Sequence, residues 1–290
     1  MTDLGADNLV FTKMHGLGND FVVLNAITQT VHLTPERVRW LADRRFGVGC
    51  DQVLVVEAST EAGVDFRYRI FNADGNEVQQ CGNGARCFAR YVRDEGLTSK
   101  DVLTVRTLGG VITLQLLDEG DVLVNMGLVR LRPEDVPFTA QQEEVVYTVN
   151  VGGQDVLMTV LSLGNPHAVQ VVADVDQAMV LVEGPLIERH ARFPQGVNVG
   201  FMQIVDRRTI RLRVYERGAG ETLACGTGAC AAVAAGRLRN LLDEKVDVHL
   251  PGGQLTVIWD GRGPIWMQGP ARRVFDGRLS GQGWGHEASE

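Results

Sequence analysis

Two short phrases in the chain carry residues able to do acid–base chemistry: "CGNG" at 81–84 and "CGTG" at 225–228. In each, a cysteine stands directly before Gly-x-Gly, and an alternating apolar run lies upstream, "FRYRIF" in one case and "IRLRVY" in the other. The pattern reads as a strand, a polar turn and a helix that opens at the cysteine. The first N–H groups of a helix lack partners within it and carry partial positive charge. A carboxylate can rest on them, and glycine lets it approach the backbone closely. The same field favours thiolate, drawing a cysteine from about 8.5 into the range of roughly 3.5–7.5.

One such thiol is a single base. Two related ones can remove a proton from one face of a carbon and return a proton to the other, which inverts a stereocentre. A carbanion beside a carboxylate places its extra charge on the carboxylate oxygens, where rows of N–H donors stabilise it as it develops. The chemistry predicted for Cys81 and Cys225 is therefore cofactor-independent racemisation or epimerisation of an amino acid. Buried cysteines among Gly and Ala are ordinarily inert. Cys50, Cys87 and Cys230 read that way, the last two lying inside their helices at positions that do not correspond.

Cys81 and Cys225 do correspond, because the chain is written twice. Aligning residues 66–85 with 210–229 gives seven identities in twenty positions, among them both Arg-x-Arg pairs and Cys-Gly-x-Gly. "LGN" recurs at 17–19 and 163–165, Gly-Gly at 109–110 and 252–253, and an acidic turn at Asp118 and Asp260. The copies cover about 9–127 and 145–269, giving expected domains 1–127 and 128–269, with a connecting segment "LRPEDVPFTAQQEE" and a tail, 270–290, expected to pack on the first domain. Each copy ends in a three-strand meander with Gly-containing turns. The helix after Cys81 carries an apolar stripe of Ala85, Phe88, Ala89 and Val92 and stops at Gly96; the one after Cys225 is small on all sides and should be buried within its own sheet. A further helix starts at Thr34-Pro35. The fold class is α+β: two pseudo-symmetric domains, each a largely antiparallel sheet curled around a central helix, with the active site expected in the cleft between them.

Composition narrows the partners. The 290 residues are 44% hydrophobic and 22% charged, ordinary for a soluble globular chain, and carry a net charge of −8. An acidic protein is a poor match for nucleic acid or an anionic membrane. No apolar run reaches the roughly 18 residues of a membrane span, and the first residues lack the pattern of a secretory signal. Five sparse cysteines are not a disulfide framework, and no Cys/His cluster has metal spacing, so a cytoplasmic protein with no metal site is expected.

Longer stretches now carry a resemblance. "KMHGLGNDFVVL" (13–24), "GVGCDQVL" (47–54), "FNADGNEVQQCGNGARC" (71–87), "LGNPHAV" (163–169), "GVNVGF" (196–201) and "VYERGAGETLACGTGACA" (214–231) resemble the motifs of diaminopimelate epimerases, in the same order and over most of the chain. The resemblance implies a pyridoxal-phosphate-independent enzyme of lysine biosynthesis, forming a homodimer, that converts L,L-diaminopimelate to the meso isomer. It implies Cys81 and Cys225 as the two bases, with Gly82-Asn83 and Gly226-Thr227 holding the reacting carboxylate. It further implies Asn19, Gln52, Asn72, Asn165, Asn198, Glu216 and Arg217 as substrate contacts, and His167 and Glu216 as residues that tune the thiols. Chemistry agrees: a distal ammonium needs acceptors such as Glu216 and the asparagine carbonyls, and a distal carboxylate suits the two-pronged donor of Arg217. Three pairs of these residues are repeat partners: Asn19/Asn165, Gln52/Asn198 and Asn72/Glu216. Cys50 stands where the family pattern leads one to expect an apolar residue. Two other readings are a proline racemase, which lacks use for a second set of amino-acid contacts, and a binding protein whose paired thiols form a redox switch.

Overall fold

The computed structural model describes residues 9–79, 81–117 and 120–279. The residues before 9, the first two residues of the acidic turn at Asp118 and the tail beyond 279 lie outside the described residues. The chain forms two compact units, Met1–Val124 with Pro270–Glu290, and Asn125–Gly269. No helix among the described residues is long and apolar enough to cross a membrane.

The first unit contains β1 (Val10–Gly16), β2 (Asn19–Asn25), α1 (Pro35–Ala42), β3 (Gln52–Ala58), β4 (Phe66–Asn72), β5 (Glu77–Val78), α2 (Gly82–Asp94), β6 (Val102–Thr107), β7 (Gly110–Leu116) and β8 (Asp121–Asn125). The second contains β9 (Tyr147–Val151), β10 (Gln154–Ser162), β11 (Pro166–Val171), α3 (Val180–Glu188), β12 (Asn198–Asp206), β13 (Thr209–Glu216), β14 (Gly220–Thr222), α4 (Gly226–Leu238), β15 (Lys245–Leu250), β16 (Gly253–Ile258) and β17 (Trp266–Pro270). The last strand, β18 (Arg272–Arg278), belongs to the first unit.

Within each unit the strands pair with one and the same topology. In the first, β1 pairs antiparallel with β2, β2 runs parallel to β3, β3 is antiparallel to β4, β4 is parallel to β6, and β6–β7–β8 form a meander. In the second, β10 through β17 repeat every one of these pairings in sense and order. Outside β10 the second unit is extended by β9, hairpinned to it from Gln154↔Val151 onward. In the first unit that place beside β1 is taken by β18, from the far end of the chain, with Val10 opposite Arg278. The C-terminal strand thus covers what would be an open edge at β1, the hazard that unpaired strands present.

Local sequence explains the framework. Thr34 caps α1 through its side chain, and Pro35 supplies the first helical residue, whose N–H needs no partner. Leu17 and Gly18 both have positive φ and close the β1–β2 hairpin in two residues, a turn whose twist matches the strands. The repeated Arg and Glu of the two copies meet across their short hairpins: Arg69 grips Glu77 with two hydrogen bonds of 3.0 and 2.7 Å, and Arg213 grips Glu221 at 2.6 and 2.9 Å.

Strand β3 is buried at Val53, Leu54, Val55 and Val56 in succession, as expected when both faces of a sheet are covered. On one face Val53 and Val55 pack with Val38 and Leu41 of α1. Helix α2 contacts β1, β2, β3, β7 and β18. Helix α4 contacts β10 to β13 and β16 and is buried at every residue from Gly228 to Gly236. Leucine-sized side chains would not fit that position: a methyl added at Gly236 would lie 2.2 Å from Leu242.

Candidate active site

Each candidate half-site forms where three neighbouring strands bring polar residues to one end. In the first unit Gln52, the first residue of β3, pairs in register with Phe21 of β2 and with Asn72, the last residue of β4. Asn19 opens β2, two residues before Phe21. In the second unit Asn198, the first residue of β12, pairs with His167 of β11. Asn198 and Glu216 are the next residues out from the Val199↔Tyr215 pair of β12 and β13. Asn165 precedes β11 and lies two residues before His167. Asn19, Gln52 and Asn72 therefore hold the register positions that Asn165, Asn198 and Glu216 hold in the second copy. The cysteines follow at the helix starts, Cys81 as the N-cap of α2 and Cys225 as the N-cap of α4.

In the first half-site Asn19 is the hub. Its Oδ1 accepts from Asn83 Nδ2 at 3.2 Å and from the Cys81 thiol at 3.6 Å, and its Nδ2 donates to Asp51 at 2.9 Å. Gln52 Nε2 donates to Asn72 Oδ1 at 2.8 Å. The Gln52 carbonyl oxygen is buried without a hydrogen-bond partner among the described residues, an acceptor left for a donor from outside. Asp51 was not anticipated from the sequence, nor was its neighbour Asp20. Lys13 and Arg44 both bond Asp20. Burial would raise the Asp20 carboxyl, but these two cations and the Asp51 N–H hold it well below the usual carboxylate range. Both aspartates adjoin motif residues, in "GNDF" and "CDQV", which is the signal that could have found them.

In the second half-site the donors are arranged differently. Asn165 Nδ2 donates to Thr227 Oγ1 at 3.3 Å, so its Oδ1, 3.0 Å from His167 Nε2, accepts from a protonated Nε2. Thr227 Oγ1 lies 3.6 Å from Cys225 Sγ, and the Gly228 N–H donates to the same sulfur at 3.3 Å. Glu216 accepts from the Thr222 hydroxyl and also faces Cys225. Asn198 is tied down on both sides, Nδ2 to Pro166 O at 3.0 Å and Oδ1 from the Arg217 N–H at 3.0 Å. Buried Glu188 holds the same turn through the Gly218 N–H at 2.7 Å. The Arg217 guanidinium is exposed and donates from Nη1 to Gln195 O.

Two sequence expectations need correction. The helix start was expected to lower the cysteine thiols. At Cys225 burial pushes the thiol well above its ordinary value, and the Glu216 carboxylate adds to the shift by repulsion; the Thr227 and Gly228 donors oppose it and do not prevail. The last glycine of each Cys-Gly-x-Gly was expected to open the backbone to a ligand. Gly84 and Gly228 instead serve packing, since an added methyl would lie 2.5 Å from the Tyr68 hydroxyl or 3.0 Å from Val214. Cys50, Cys87 and Cys230 are buried, and burial lifts Cys50 and Cys87 each to about 12. Cys81 alone among the five is only half-buried.

His167 is buried, and burial, helped by the charge of Arg217, pushes its imidazole down to about 3. It is neutral in the folded protein where an unfolded chain, near 6.5, would protonate it. Its contribution to stability is complete above about pH 6.5 and is lost as pH falls from there toward 3, at about 1.4 kcal/mol per unit. Urea unfolding at pH 7 and pH 5 should therefore show a smaller loss in His167→Gln than in the wild-type protein, by about 2 kcal/mol. Equal losses would mean that His167 is not held neutral.

Comparison with known proteins shows the family. The family model described as diaminopimelate epimerase matches residues 11–132 and 159–274, the two copies in turn. A diaminopimelate epimerase of Aromatoleum aromaticum is 60% identical over 273 residues, covering 94% of this chain and 99% of its own. The chain belongs to the diaminopimelate epimerase family. It is an isomerase, an epimerase with a small-molecule substrate. Another member, from Nitrosospira multiformis, is 57% identical over 93% of this chain and 98% of its own. Among solved structures, a hydroxyproline epimerase from Agrobacterium vitis superposes with a TM-score of 0.67 at 15% identity, covering 94% of this chain and 93% of that one. At that identity the likeness speaks for the duplicated α+β fold, which this family shares.

Proposed function

We propose that the protein interconverts L,L- and meso-diaminopimelate by a two-base mechanism without a cofactor, with Cys81 and Cys225 acting on opposite faces of one α-carbon. The observation that carries the reading is the equivalence of the half-sites: a cysteine at a helix N-cap, beside polar residues at matching register positions, occurs once in each copy. The names of its relatives supply the substrate.

The N–H groups at Gly82-Asn83 and Gly226-Thr227 receive the reacting carboxylate and stabilise the charge that grows on its oxygens during proton removal. Asn19, Gln52, Asn72, Asn165 and Asn198 supply amide donors and acceptors for the amino groups and the distal end. Arg217 binds the distal carboxylate with its planar fork.

Glu216 does two things in sequence. In the free protein burial keeps Cys225 protonated, and the charge of Glu216 adds to that effect. A substrate ammonium beside Glu216 offsets that charge, so that the thiol releases its proton to solvent more readily once substrate is present. The base is thus produced by the substrate it acts on, and a buried thiolate is avoided in its absence.

Incubating the reduced protein with L,L-diaminopimelate and separating the stereoisomers tests the assignment. The meso isomer should form until the two are at equilibrium. No stereochemical change in a folded, fully reduced preparation would remove the substrate assignment.

A further inference from the structure

We propose that Asp51 is a positioning residue: it fixes which end of the Asn19 amide faces Cys81, and thereby keeps Cys81 a thiol ready to donate. A primary amide has a donor end and an acceptor end of nearly the same shape. What decides its orientation is the surroundings, and here a carboxylate decides it. Asp51 Oδ2 can only accept, and it takes Asn19 Nδ2 at 2.9 Å. The carbonyl end must then turn to Cys81 and Asn83. A carbonyl oxygen can accept from S–H but can give nothing to S⁻, so this arrangement favours the protonated form.

Asp51 is itself held. Arg44 Nη2 bonds its Oδ1 at 2.8 Å, and the Asp20 N–H bonds its Oδ2 at 3.2 Å. Asp20, fixed by Lys13 and Arg44, accepts the Asp51 N–H in return at 3.0 Å. The second copy has no such carboxylates: Pro166 and Val197 stand at the positions of Asp20 and Asp51. There the equivalent amide is turned the other way, its Nδ2 toward the helix start at Thr227. Two ionisable groups that interact with Cys81 from within its unit do not change charge near neutral pH: Tyr68 on β4 is raised well above its ordinary value by burial, and Cys87 on α2 is lifted by burial to about 12.

The inference rests on the two-base reading only for its effect on turnover, so its test is a titration of Cys81 that needs no substrate. The rate of iodoacetamide alkylation at the Cys81 peptide, followed by mass spectrometry against pH, gives the thiolate midpoint. In Asp51→Asn, which is nearly the same shape, the Asn19 amide is free to turn its donor end to sulfur. The midpoint should fall by about one pH unit, a tenfold change in the ratio of thiolate to thiol. Loss of a nearby negative charge alone would also lower it, and a second background separates the two causes. In Asn19→Leu there is no amide to turn, so Asp51→Asn should add almost nothing there. An unchanged midpoint in Asp51→Asn, or the same fall in both backgrounds, overturns the positioning role. Asn19→Leu by itself should also lower the midpoint by removing the acceptor, and a midpoint equal to that of the wild type counts against the proposal even if Asp51→Asn fails to fold. Absence of epimerase activity would sink the substrate assignment and leave this result standing.

Discussion

Replacing Cys81 or Cys225 by alanine should remove nearly all epimerisation, each alone as completely as both together. On the two-base reading neither thiol is useful without the other, because a proton taken from one face must be matched by a proton given to the opposite face. The loss should lie at or beyond the upper end of the roughly 10²–10⁴-fold range for a single acid–base group. The double variant should be no worse than either single one, as expected for groups that act as a unit. The fold should tolerate the changes. Alanine is smaller than cysteine, Cys81 is only half-buried, and α4 already begins among small residues. Chiral analysis of the product, with circular dichroism to confirm folding, provides the comparison. A Cys81→Ala protein that epimerises at a rate near the wild type would remove Cys81 from the reaction.

Much of this was legible in the chain because a duplication writes its own alignment. The strand, turn and Cys-Gly-x-Gly recur at one offset, so α2 and α4 and the meanders could be read off together, whereas the other site residues came from the family resemblance, with three pairs of them related by the repeat. Thr34-Pro35 announced α1 by local capping chemistry. Helix α3 was not anticipated. Its sequence, VLVEGPLIE, leaves Leu181, Val182 and Leu186 exposed while Val180 and Ile187 are buried, and it contains Pro185, so no clean 3.6-residue stripe marks it. The tail was expected to pack on the first domain, but its pairing with β1 as strand β18 was hidden, since the two strands lie at opposite ends of the chain and pairing at that separation leaves no local trace. The raised thiol at Cys225 was missed for a related reason. The helix start is local and visible in sequence, whereas burial and the approach of Glu216 depend on packing. Asp51 and Asp20 escaped notice because an ion-pair network has no fixed spacing.

Arg217→Lys should give the next largest effect. The variant keeps the charge but loses the planar pair of donors suited to a carboxylate. A hydrogen bond to a charged group is worth about 1.5–3 kcal/mol, which corresponds to a fall of roughly 10–150-fold in kcat/KM. The loss should fall mostly on KM, because the distal carboxylate is held alike in the ground and transition states. The turn itself should survive, since Asn198 and Glu188 hold it through the backbone N–H groups of Arg217 and Gly218. Steady-state kinetics on L,L-diaminopimelate would decide this. Unchanged kcat/KM would mean that the guanidinium, exposed in the free protein, stays clear of the bound substrate.

The central claim is that two thiols, rather than one, handle the α-proton. It is tested most directly by running the reaction from L,L-diaminopimelate in deuterated water and analysing the earliest product and the remaining substrate by mass spectrometry. Take Cys225 as the base for the L centre and Cys81 as the donor. Cys81 equilibrates with solvent before substrate binds, so it delivers deuterium. Meso product should carry deuterium at the inverted carbon from its first appearance. Recovered L,L substrate should remain protiated at the same early times, because the proton held on Cys225 can return only as itself. A single base serving both faces would instead carry the original proton across. Early meso product containing mostly protium at the inverted carbon would contradict the two-base account.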